Sequence, residues 1–155
     1  MEKVLIKKED RVLTDEHVEN IARTIFNQLG GNAGMGFVRV TGTKDFMRGE
    51  DAKHRPFLQF KLPSLTQYLP DQKVRPNICR VTLDEGSDCY VMEFVRFTPD
   101  HLKYFKTDDG KIAIKVMPQK CETTYINETV YCDQLQQVFE EKTNLLLDFC
   151  RVRFG

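Results

Sequence analysis

Apolar residues recur along this chain with two different periods, and the change of period divides it into helices and strands. From Thr14 to Leu29 the positions Val18, Ile21, Ala22, Ile25, Phe26 and Leu29 form one helical stripe, so the segment is predicted as an amphipathic helix. Thr14 can cap its start, Asp15 and Glu16 suit the positive end of its dipole, and Gly30-Gly31 stops it. The period then drops to two. Met35 to Thr41 reads as a strand with Val38 and Val40 on one side and Phe37, Arg39 and Thr41 on the other. Phe57 to Leu62 sends Leu58, Phe60 and Leu62 one way and Phe57, Gln59 and Lys61 the other. Ile78 to Asp84 separates Cys79, Val81 and Leu83 from Ile78, Arg80 and Thr82. Glu85-Gly86-Ser87-Asp88 reads as a hairpin turn into a strand from Cys89 to Phe97, with Tyr90, Met92 and Phe94 inward. Lys111 to Met117 alternates again.

Other stretches lack that alternation. Residues 44–56 crowd Lys44, Asp45, Arg48, Glu50, Asp51, Lys53, His54 and Arg55 together and predict an exposed, mobile loop. Residues 64–77, with Pro70 and Pro76, predict a second loop. Thr98-Pro99-Asp100 resembles a helix start, with one turn running through Phe105, before a strong turn at Thr107-Asp108-Asp109-Gly110. The last helix is predicted from Val130 to Thr143, entered through Tyr125–Val130, capped by Asn127 or Thr129, and striped by Cys132, Leu135, Val138 and Phe139. The order predicts a single α+β domain over residues 1–155. Its mainly antiparallel sheet has four to five strands, with an N-terminal and a C-terminal helix packed on one face. The opposite face is then expected to be partly open to solvent.

Composition narrows the class. The chain has 155 residues, 41% of them hydrophobic, with 23 Lys plus Arg balanced by 23 Asp plus Glu. That excludes a disordered chain and a globally basic one, so nucleic-acid binding would need a local patch. Val4-Leu5-Ile6 runs straight into charge and cannot form a signal-peptide core, and Leu145-Leu146-Leu147 is far short of a membrane span. A cytoplasmic protein with no membrane partner is expected. Five cysteines, an odd number with no CxxC pair, read as small buried hydrophobes.

Catalytic signatures are sparse. His17, His54 and His101 show no metal-ligand spacing. The glycines from Gly30 to Gly36 close a helix and open a strand, the reverse of a phosphate loop. The acids Asp84, Glu85, Asp88, Asp108 and Asp109 sit in turns, and only Glu93 beside Asp84 or Asp88 offers a nuclease-like pair. No cofactor, no metal and no catalytic residue are expected. Binding is the stronger expectation. The outward positions Phe37, Arg39, Phe57, Lys61 and Arg80, with Lys44, Arg48 and Arg55 from the adjoining loop, combine rings and cations as single-stranded nucleic acid requires. Outward Phe57, Ile78, Val91 and Val95 would instead make an apolar patch for a protein partner or a second copy of the chain. The loop cations are nearly matched by Asp45, Glu50 and Asp51, so a protein partner ranks first, single-stranded nucleic acid second and a metal-dependent nuclease third.

Several blocks carry a resemblance. Ile25-Phe26-Asn27-Gln28-Leu29-Gly30-Gly31-Asn32, then Thr41-Gly42-Thr43-Lys44-Asp45-Phe46, are followed by Phe60-Lys61-Leu62-Pro63, Val81-Thr82-Leu83, Tyr90-Val91-Met92-Glu93-Phe94 and the run from Val130 to Phe139. Together they resemble uncharacterised small proteins encoded by bacteriophages and mobile elements of gut bacteria, in which Q-L-G-G-N ends a helix and T-G-A-K-N-F follows a strand. The chain departs at Thr43, Asp45 and Val91, and its charged segment from Arg48 to Pro56 is longer. The resemblance implies an accessory protein of a bacterial cytoplasm that acts by binding a host or phage protein, host-defence systems included. It implies no activity for any residue.

Overall fold

The computed structural model describes residues 11–30, 41–63 and 74–143. Helix α1 (Asp15–Gln28) begins where the sequence predicts: Thr14 is extended, and its Oγ1 accepts a hydrogen bond from the His17 amide at 3.1 Å. Strands β1 (Lys44–Glu50), β2 (Pro56–Lys61), β3 (Ile78–Asp84) and β4 (Cys89–Thr98) follow. Then come β5 (His101–Lys106), β6 (Ile112–Met117) and β7 (Lys120–Val130), and a 3-10 turn at Cys132–Gln134 leads into helix α2 (Leu135–Thr143).

The architecture is α+β. Five strands form one antiparallel sheet in the order β1-β2-β3-β4-β7, and β5 and β6 pair only with each other. Both helices cover the same sheet face. Ala22, Ile25 and Leu29 of the first helical segment and Leu135 and Phe139 of α2 share one buried cluster with Leu58, Phe60, Val81, Met92 and Phe94. The Phe139 ring stands 6.0 Å from Phe60 and 6.2 Å from Phe94. Phe46 lies between Phe26 at 5.3 Å and Phe60 at 5.1 Å, tying β1 to α1.

Several expectations are corrected. The loop expected over residues 44–56 is strand β1 followed by a tight turn into β2. Phe46 anchors that strand, and Glu50 at its end and the following Asp51 are inside because they are hydrogen-bonded: Asp51 accepts from the Arg55 amide at 2.8 Å and from Arg55 Nε at 2.8 Å. The segment Tyr125–Val130 belongs to β7, so the helix expected from Val130 starts five residues later. Its β-branched residues Thr123, Thr124, Ile126, Thr129 and Val130 favour the pleated pairing with β4. The helical turn expected after Pro99 is strand β5. The strand expected over Met35–Thr41 lies outside the described residues except for Thr41, which is buried.

The second sheet face is not the open surface expected. Phe57, Ile78, Thr82, Val91 and Val95 are all buried there, and so is Arg80. Near-continuous burial along a strand, rather than alternation, marks a sheet shielded on both faces.

Candidate interaction surface

Most of the large exposed apolar side chains among the described residues lie instead on β5 and β6. The hairpin begins as a continuation of β4 and β7. Thr98 pairs with Lys120 in the main sheet and His101 pairs with Met117 beyond it, with no shift of register between them. Only two residues on each strand interrupt the ladder, Pro99-Asp100 and Pro118-Gln119. In this register Pro99 falls opposite Gln119 and Pro118 opposite Asp100, adjacent pairs of the ladder, and neither proline has an N–H to donate. Asp100 Oδ1 bridges the break by accepting from the Gln119 amide. The result is a separate two-stranded arm.

Its tip is built for tight reversal. Thr107 N–H donates to the Lys111 carbonyl at 2.8 Å, and Gly110 N–H donates to the Thr107 carbonyl at 3.0 Å. Gly110 has φ +85°, a conformation glycine adopts without steric cost. Thr107 Oγ1 also hydrogen-bonds Asp109 Oδ1.

Alternation gives the arm two unlike faces. Leu102 pairs with Val116, Tyr104 with Ile114 and Lys106 with Ile112. Leu102, Tyr104, Ile112, Ile114 and Val116 are between 53% and 69% exposed, although all five are large and apolar. The other face carries His101, Lys103, Phe105, Lys115 and Met117 around Ala113. Every residue of β5 is exposed. Isolated exposed apolar residues are ordinary; five on one face of a ribbon form a contiguous patch of the kind that marks an interaction site.

A polar cleft of about 490 Å³ lies elsewhere, where Lys53, His54 and Arg55 face Asp84 and Glu85. Three of its polar side chains are held by residues outside it, Arg55 by Asp51 among them. His54 Nδ1 is 2.5 Å from Glu50 Oε2, and His17 Nε2 is 2.7 Å from Glu85 Oε1. Buried Glu50 also accepts from the amides of Val12 at 3.0 Å and Leu13 at 2.8 Å, fastening the segment before α1 to the end of β1. Burial alone would raise the Glu50 pKa. The Val12, His54 and Leu13 hydrogen bonds outweigh it and hold the carboxyl below its ordinary value. Among the described residues, no group of three or more His, Cys, Asp or Glu side chains could hold a metal ion, and no helix is long and apolar enough to cross a membrane.

The residues singled out from sequence are scattered by the fold. Phe37 and Arg39 lie outside the described residues. Lys44, Arg48 and Lys61 are exposed, with Lys61 Nζ 3.2 Å from Asp45 Oδ2, and Arg55 is paired with Asp51. Phe57 and Arg80 are interior. The Arg80 guanidinium stacks 4.2 Å over the Phe57 ring and donates to Gln59 Oε1 at 3.1 and 2.7 Å. Burial lowers the Arg80 pKa, opposed by the charges of Glu93 and Asp51. The cysteines divide too: Cys79 and Cys89 are buried free thiols, whereas Cys121 and Cys132 are exposed free thiols.

Leu102 and Tyr104 are the residues the periodicity reading passed over. Their signal was present: alternating His101–Lys106 and Lys111–Val116 flank Asp108-Asp109-Gly110, a hairpin signature masked by Pro99 in a helix-start position. Comparison with protein families, characterised proteins and solved structures finds no match to this chain.

Proposed function

We propose that this protein works by binding another protein through the apolar face of the β5–β6 arm, and not by catalysis. One observation carries the reading: Leu102, Tyr104, Ile112, Ile114 and Val116 stand together in water on a ribbon that joins the body only through its base. Burying such a face is favourable at roughly 25 cal/mol per Å² of apolar surface, and nothing in the described body buries it. The resemblance to small proteins of phages and mobile elements implies the setting, a bacterial cytoplasm in which the partner is a host or phage protein, host-defence components among them.

Single-stranded nucleic acid is the second reading. It is favoured by the cross-strand pair Lys103 and Lys115 on the opposite face, with the exposed Phe105 ring beside them. A photocrosslinking amino acid at Tyr104, used in bacterial lysate, separates the two. Discrete protein adducts that vanish when Ile114→Lys is added support protein binding. The absence of any protein adduct, beside salt-sensitive binding of labelled single-stranded DNA, replaces it with the second reading.

A further inference from the structure

We infer that the partner of the arm's apolar face is the same face of a second copy of this chain, with the two arms antiparallel. The inference rests on the reading of the arm as a protein-binding surface and names its occupant. A two-stranded ribbon alone is marginal in water and needs a further apolar layer to be stable. A second arm supplies that layer. Its Tyr104–Ile114 pair lies at the middle of the face, so a twofold axis there sets Ile112 of one copy over the Leu102–Val116 pair of the other.

Charge selects this arrangement. His101, Lys103 and Lys115 sit on the opposite face, so they stay in solvent when the apolar faces meet. Among the paired residues of the apolar face Lys106 is the one charged side chain, and it stands at the tip end. Parallel arms would bring the two Lys106 side chains together. Antiparallel arms separate them by roughly 15 Å, about two Debye lengths in physiological salt. Each Lys106 then faces the base of the other arm, where exposed Asp100 falls on the same side by alternation. The chain's zero formal net charge leaves no long-range repulsion between copies.

The five side chains expose roughly 500–600 Å² per copy, which puts the interface at the low end of specific interfaces and makes the dimer concentration-dependent. Size-exclusion chromatography with light scattering, run from low to high micromolar concentration, should show the mass rising from one chain to two. Ile114→Lys or Val116→Lys should weaken the dimer at least about tenfold. Lys106→Glu should weaken it roughly two- to fivefold by facing the other copy's Asp100 with like charge. Lys115→Glu, on the outer face, should leave it unchanged, and circular dichroism checks that each variant keeps its fold. A protein monomeric at every concentration overturns the inference, as does a dimer indifferent to Ile114→Lys and Val116→Lys. A monomer whose Tyr104 crosslinker still captures a different protein overturns this inference alone. A monomer that captures none overturns the protein-binding reading with it.

Discussion

Arg80 and Glu50 are charged residues with interior roles, and each can be tested alone. Arg80 lies in a cross-strand row, opposite Gln59 on β2 and Glu93 on β4, and its guanidinium covers the Phe57 ring. Truncating it removes two hydrogen bonds and a stacked cation, and leaves the Gln59 carbonyl without its donor. Arg80→Ala should therefore lower stability by about 2–4 kcal/mol, read from urea unfolding. Glu50 gives a pH signature. Its folded pKa lies below the ordinary 4.5, so its stabilisation is complete above that value and is lost as pH falls through the folded value. Glu50→Gln should cost about 1–3 kcal/mol at neutral pH, and the gap from the parent protein should close on acidification below 4.5. A gap that stays constant with pH would mean that the carboxylate charge contributes nothing.

At the scale of elements, the informative feature is a hairpin cut in two. From Val95 opposite Thr123 to Lys106 opposite Ile112, the strands keep one register, and the break coincides with Pro99 and Pro118. A ladder with a proline in each of two adjacent pairs has fewer donors there and bends more easily than elsewhere. Replacing both prolines, Pro99→Ala/Pro118→Ala, returns the missing ladder donor and should slow hydrogen exchange at and beside the junction and extend the sheet into the arm. Unchanged exchange would place the cause of the break in the neighbouring side chains instead.

For the whole molecule, the buried core and the exposed apolar face of the arm belong to different parts. The core cluster runs through the five-stranded sheet, α1 and α2, and contains no residue of β5 or β6. The body is thus expected to fold without the arm. Replacing residues 99–119 by Asn-Gly, which joins the paired Thr98 and Lys120 by a two-residue turn, should leave unfolding stability within about 1 kcal/mol of the parent. The same deletion should abolish self-association. A deletion variant that fails to fold would show that the arm supports the body as well as presenting a surface.

Periodicity determined what depends on neighbours along the chain. It gave α1 with its Thr14 cap, the Ile78–Asp84 strand, the turn at 85–88, the inward set Tyr90, Met92 and Phe94, and both helices on one sheet face. Those features follow from local sterics, capping and side-chain alternation, all of which are written in adjacent residues. Only the tertiary structure decided three others. Alternation separates two faces but cannot say whether the second is covered, and so Phe57 and Arg80 looked like surface. A run of charges reads as loop until the fold supplies partners, as it does for Glu50 and Asp51. An apolar face reads as core wherever it occurs, and Ile112, Ile114 and Val116 became a surface because pairing beyond the two prolines carried them past the body.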